Sequence, residues 1–114
     1  MNLQEVIDSL QLKILTEKKD FSTIKVSTGY TSDLLSCVMT GAEDQCIWIT
    51  LMAHSNIIAV ASLLDVAAII ITENAQPDET TIARANQQSI ILLSTPIPTF
   101  NVVGQLWDLG IRGT

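Results

Sequence analysis

Two short apolar runs flank a helix-length segment between Cys46 and Thr72, and this stretch limits what the chain can become more than any other. The first run is Cys-Ile-Trp-Ile-Thr ending at Thr50, and the second is Val-Ala-Ala-Ile-Ile-Ile-Thr ending at Thr72. Both are rich in β-branched or aromatic residues and too short for helices, so they read as parallel strands covered on both faces and joined by a helix, a βαβ unit. The helix, Asn56 to Asp65, is apolar on nearly every side and therefore needs cover on both faces as well. A rotation of about 100° per residue turns Ile57, Val60, Leu63 and Leu64 toward the sheet and Ile58, Ala59, Ser62 and Asp65 away from it.

The remaining elements attach to this unit in order. Asn2 can cap a first helix with Leu3, Val6, Ile7 and Leu10 at helical spacing. Leu12 to Leu15 reads as a brief strand, and Phe21 to Val26 as a second. Ser27 to Ser32 is then a loop, after which Thr31 or Ser32 caps a helix that has Asp33 in its first turn and Leu34, Leu35, Val38 and Met39 on its apolar face. Gly41 ends that helix. Beyond the central unit, Thr72 to Pro77 is a polar loop, and Asp78, Glu79 and Thr80 open a helix with Ile82 and Ala85 inward. Ile90 to Leu93 makes the last strand, Ser94 to Pro98 a stiff loop, and the final helix carries Phe100, Val103, Leu106 and Trp107 on its apolar side with Gly110 at its end. Strands alternating with helices imply right-handed crossovers. The expected fold is α/β, a single three-layer domain over residues 1–114 with a mostly parallel sheet of about five strands and helices on both faces.

Composition narrows the function. With 47% hydrophobic and 16% charged residues, the chain has little charge to cover its surface, so some apolar surface is expected to meet a partner. The net charge of −6 repels polyanions, which argues against nucleic acid and anionic membrane. No apolar run approaches the roughly 20 residues of a membrane span, and the first residues lack a basic region followed by an apolar core. A soluble, cytoplasmic protein is expected. Cys37 and Cys46, without Cys-x-x-Cys spacing, read as small hydrophobes rather than metal ligands or a disulfide.

In a sheet of this kind a ligand site lies beyond the carboxyl ends of the strands. The residues expected there are Thr28 and Gly29; Thr50, His54, Ser55 and Asn56; Thr72, followed by Glu73 and Asn74; and Ser94 and Thr95. Their hydroxyl and amide groups would converge near helix N-termini able to attract an anion, although capping is the default use of Ser, Thr and Asn at such positions. Neither a Gly-Lys-Ser/Thr phosphate loop nor Gly-x-Gly-x-x-Gly occurs. His54, the only histidine, has no metal-ligand partners, and neighbouring Ser55 points apart from it at a helix start. No catalytic residue, metal or cofactor is therefore expected.

Gly29-Tyr-Thr-Ser-Asp-Leu-Leu-Ser36, the central run from Ile47 to Asp65, Ile69-Ile-Ile-Thr72 with Pro77-Asp-Glu79, and the closing Leu-Ser-Thr-Pro and Leu-Gly-Ile together resemble a stand-alone DRTGG domain over nearly the whole length. That family is similar to the N-terminal domain of HPr kinase/phosphorylase and occurs beside CBS domains in regulated pyrophosphatases. The resemblance implies a regulatory, dimer-forming module, and for stand-alone bacterial forms an association with iron hydrogenases and energy metabolism. The Asp-Arg-Thr-Gly-Gly string itself is absent, and Glu73 and Asn74 stand where glycines often follow the central Ile-Ile-Thr.

The expected function is a non-catalytic regulatory or interaction module acting as a homodimer, with an unidentified protein partner. The dimer surface is expected on the strip Ile58, Ala59, Ala61, Ser62 and Asp65, which water would not select. The alternatives are a sensor that binds an adenine nucleotide or similar anion weakly at the strand-end loops, and a small enzyme related to phosphotransfer.

Overall fold

The computed structural model describes residues 1–113. Helix α1 (Leu3–Leu10) leads to strand β1 (Lys13–Ile14), a 3-10 turn (Phe21–Thr23), β2 (Gly29–Thr31), α2 (Leu35–Gly41), β3 (Ile47–Thr50), α3 (Asn56–Leu64), β4 (Ala68–Ile71), α4 (Glu79–Gln87), β5 (Leu92–Ser94) and α5 (Thr99–Asp108). The strands lie in the order β1-β5-β4-β3-β2. The expected α/β architecture of five strands is present, but the sheet is mixed: β2 to β5 pair in parallel, whereas β1 joins β5 antiparallel.

Side-chain alternation along the strands divides the core into two layers. Ile47, Ile49, Ala68, Ile70 and Leu93 meet Val6 and Leu10 of α1 and Val102 and Leu106 of α5. On the other face Trp48, Ile69, Ile71 and Leu92 meet Val38 of α2, Ile57, Ile58 and Ala61 of α3, and Ala85 of α4. Every residue of β3 and β4 is buried, as the unbroken apolar runs require of strands covered on both sides. Each isoleucine so placed contributes about 1.5–3 kcal/mol relative to exposure.

The N-terminal helix forms as its sequence dictates. The Asn2 side chain accepts from the Glu5 N–H at 2.9 Å and Glu5 answers the Asn2 N–H, a reciprocal capping box. Five other elements depart from expectation. The segment read as a second strand begins as a 3-10 turn held by Asp20, whose carboxylate accepts from the Ser22 N–H. Its extended part, Ile24 to Val26, pairs outside the sheet with the N-terminus through Leu3 N–H to Ile24 O and Val26 N–H to Met1 O. Strand β2 is instead Gly29-Tyr30-Thr31, inside the stretch read as a loop. As an edge strand that is only half-covered, it needs no apolar run.

Helix α2 starts at Leu35 with no side-chain cap; Ser32 accepts from the Leu34 N–H just ahead of it, and Asp33 is turned elsewhere. On α3 the inward arc is Ile57, Ile58, Val60 and Ala61, while Leu63 is 71% exposed. Leu63 lies about 140° from Ile58 around the axis, so one arc cannot hold both, and the position of α3 between α2 and α4 selects Ile58. On α5 the buried pair is Val102 and Leu106, and Phe100, Val103 and Trp107 face out. Gly110, at φ 100°, ends that helix as expected. No helix among the described residues is long and apolar enough to cross a membrane.

Candidate functional site

Parallel register brings Thr50, Thr72, Ser94 and Thr95 to the carboxyl edge of β3, β4 and β5, all of them buried. Thr28 and Gly29 do not join them. Gly29 pairs with Ile47 at the start of β3, so both residues lie at the opposite edge of the sheet. There Gly29 donates its N–H to Arg112 O, and a β-carbon on it would come within 3.3 Å of Ile111, a close approach that keeps this position small. The Thr28 hydroxyl is buried without a hydrogen-bond partner among the described residues.

At the carboxyl edge the three threonine hydroxyls are hydrogen-bonded within the chain. Thr50 Oγ1 donates to Asp33 Oδ1 at 2.6 Å and accepts from the Met52 N–H at 3.1 Å, and the Leu51 N–H reaches the same Asp33 oxygen at 3.0 Å. Asp33 thus ties the loop after β2 to the end of β3 instead of complementing a helix dipole. Thr72 Oγ1 lies 2.5 Å from Thr99 Oγ1 and 3.4 Å from the Thr50 carbonyl. Thr95 Oγ1 accepts from the Ile97 N–H.

The turn after β4 is the most constrained part of this edge. Glu73 and Asn74 both hold left-handed φ, 60° and 59°, a region that costs residues with a β-carbon energy and suits glycine. Their N–H groups donate to the Ile97 and Thr95 carbonyls. This turn places the Glu73 carboxylate 2.7 Å from the Thr99 N–H, at the first turn of α5. The N–H that could otherwise receive an anion therefore already holds one from within the chain.

His54 is exposed, and its Nδ1 accepts from the Asn56 N–H at 3.1 Å. That bond puts the proton of the neutral ring on Nε2 and makes His54, not Ser55, the side chain that opens α3. Asp78 caps α4 by accepting from the Thr81 N–H at 2.8 Å; that bond holds its carboxyl below the usual range, with His54 a smaller contributor. Burial pushes the Cys46 thiol up to about 11. No cluster of metal-ligating side chains is present among the described residues. With two carboxylates, Asp33 and Glu73, and the Thr50, Thr72 and Thr95 hydroxyls already hydrogen-bonded, this edge offers little to a phosphate.

The model of the DRTGG domain matches residues 5–108. The chain belongs to the DRTGG domain family. No curated protein matches this DRTGG domain. Among solved structures, it is similar to the CBS and DRTGG domains of the regulatory region of Clostridium perfringens pyrophosphatase, complexed with an activator, diadenosine tetraphosphate. The likeness has a TM-score of 0.74 at 17% identity, covering 91% of this DRTGG domain and 45% of the pyrophosphatase chain. At that identity it is a likeness of fold.

The dimer strip expected on α3 is divided by the structure. Ile58 and Ala61 are buried within the chain's own core, whereas Ala59, Ser62 and Asp65 are exposed. Ser62 Oγ donates to the Ala59 carbonyl at 2.8 Å, and the two line a shallow groove with Leu63, Arg84 and Gln88. The apolar surface that sequence reasoning missed is on α5, where Phe100 is 89%, Trp107 54% and Val103 37% exposed. Beside it a cleft of about 170 Å³ runs between β2 and α5, lined by Thr31, Ile49 and Ile111 among others, with Arg112 stacked 4.0 Å over the Trp107 ring. The signal was available: α5 carries apolar residues on two opposite sides, more than one sheet contact can use.

Proposed function

We propose that this DRTGG domain is a non-catalytic regulatory module that acts by association, with a second copy of itself and with a further protein whose output it adjusts. The observation that carries the reading is the division of its surface. Thr50, Thr72, Asp33 and Glu73 of the strand-end loops are hydrogen-bonded inside the chain, while Phe100, Val103 and Trp107 stand in water on one helix. Aromatic residues exposed together at helical spacing fit an association surface better than a solvent face. The regulatory setting is carried over from the pyrophosphatase region, where a DRTGG domain sits with CBS domains. No residue of this chain bears on the hydrogenase link that the resemblance implies. Purified protein given magnesium with a nucleoside triphosphate or pyrophosphate should release no phosphate above buffer. Turnover that is abolished by His54→Ala would contradict the reading.

A second reading, nucleotide sensing, is favoured by the activator complex of the pyrophosphatase region. Here the site would be the carboxyl edge with Thr50, His54, Ser55, Asn56, Thr72, Ser94 and Thr95. Helix-end attraction of about 0.3–1 kcal/mol per site, opposed by Asp33 and Glu73, gives simple nucleotides no better than roughly millimolar affinity. Calorimetric titration with adenine nucleotides that returns a micromolar constant would make sensing the primary function.

A further inference from the structure

We infer that the second copy docks through α5, with the two α5 helices antiparallel across a two-fold axis that passes between Val103 and Gly104. The inference rests on the association reading above and names its surface, which is not the α3 strip. Phe100, Val103, Gly104 and Trp107 form one stripe at i, i+3, i+4 and i+7, so all four project from the same side of the helix. Residues 100 and 107, like 103 and 104, are symmetric about the midpoint. A two-fold axis there sets Phe100 against Trp107 of the copy and Val103 against its Gly104, which is the self-complementarity an isologous interface requires.

Gly104 supplies the independent observation. A glycine inside a helix costs about 1 kcal/mol relative to alanine, yet nothing among the described residues asks for one. Its φ is not left-handed, and a β-carbon built on it meets no atom of the described residues within 4 Å. The missing side chain makes sense against something outside the chain, and Val103 of the copy is the group that the symmetry brings there. Gly104 also lets the helix axes come closer than the usual 8–10 Å.

Area and charge agree with a second copy. Taking about 200 Å² for each aromatic side chain, the exposed fractions of Phe100 and Trp107 leave roughly 300 Å² uncovered. With Val103, Gly104 and a polar rim of Asn101 and Gln105, the face approaches the roughly 600 Å² per partner of small, reversible interfaces. A weak dimer in the micromolar range is the outcome. The only ionisable residue of α5 is Asp108, so the stripe itself carries no charge that would repel its copy. Arg112, stacked on Trp107, holds that ring in place as an anchor.

The two tryptophans make the test selective, because Trp48 is fully buried and only Trp107 is open to a quencher. Wild type, Gly104→Arg and Ser62→Arg are compared by sedimentation velocity and by iodide quenching across protein concentrations. The inference expects wild type to dimerise and to lose most of its quenchable fluorescence as it does so. Gly104→Arg should be monomeric and quenchable throughout, and Ser62→Arg should behave as wild type. Gly104→Ala adds a readout that a merely structural role would not give: a higher melting temperature for the dilute monomer with at least tenfold weaker dimerisation. A dimer that survives Gly104→Arg, or leaves Trp107 quenchable, overturns the α5 surface while the association reading stands. A wild type that stays monomeric overturns self-pairing and leaves the stripe to a different protein.

Discussion

Glu73 is where the carboxyl edge can be taken apart most cleanly, since two opposing effects meet on one residue. Its carboxylate accepts the Thr99 N–H at 2.7 Å, and its backbone is held at φ 60°. A capping oxygen at a helix start contributes about 0.5–2 kcal/mol, and the negative charge there adds roughly 0.3–1 kcal/mol. Left-handed backbone costs a residue with a β-carbon about 1–2 kcal/mol relative to glycine. Glu73→Ala removes the cap and keeps the strain, so it should destabilise by about 1–2 kcal/mol. Glu73→Gly removes the cap and also the strain, which brings the loss down to about 0–1 kcal/mol. At roughly 4 °C per kcal/mol for a chain of this size, the melting temperature should fall by about 4–8 °C for alanine and about 0–4 °C for glycine. Thermal unfolding followed by far-UV circular dichroism reads both. Equal losses would show that no strain resides at residue 73, and an unchanged alanine variant would show that the carboxylate does not hold α5.

Three further outcomes follow from particular contacts. A β-carbon at Gly41 would lie 2.5 Å from the Tyr30 Oη, so Gly41→Ala should displace that ring from its 3.0 Å bond to the Cys37 carbonyl; the cost of about 1–3 kcal/mol in urea unfolding should largely vanish in a Tyr30→Ala background. Cys37 is exposed and Cys46 is buried with its thiol raised to about 11, so iodoacetamide at pH 8 should modify one cysteine in the native protein and both only after unfolding. Asp78 has its carboxyl lowered from 3.8 by the Thr81 N–H, so its contribution to stability is present above that value and is lost as pH falls through the lower folded one; acid unfolding of Asp78→Asn should be less steep below about pH 3.8 than that of wild type.

The parts of the fold that could be read from the sequence are those whose pattern has a single physical solution. Ile47 to Thr50 and Ala68 to Ile71 are covered on both faces, and Asn2 with Glu5 closes a capping box that leaves the start of α1 no alternative. Strand β2 was hidden because an edge strand needs no apolar run, and Gly29 and Thr31 look like turn residues. The amphipathic faces of α3 and α5 were misjudged for one reason: both helices have apolar residues on more sides than one contact can bury. Only the neighbouring elements decide whether Ile58 or Leu63, Val102 or Val103, goes inside. The strand-end residues Thr50, Thr72 and Thr95 were found at one edge as expected. That Asp33 would engage Thr50, Thr99 would engage Thr72 and Glu73 would take the Thr99 N–H was not legible, because those bonds join residues 17 to 27 positions apart.

The claim at the centre of this account is that the chain works by associating through surface it does not use itself. Sedimentation velocity of the wild type from about 1 to 200 µM, a span that brackets the micromolar range of a small interface, tests it most directly. A sedimentation coefficient that rises from that of the 12.4 kDa monomer to that of the dimer across this range is the predicted result. A single monomer value at every concentration would contradict it.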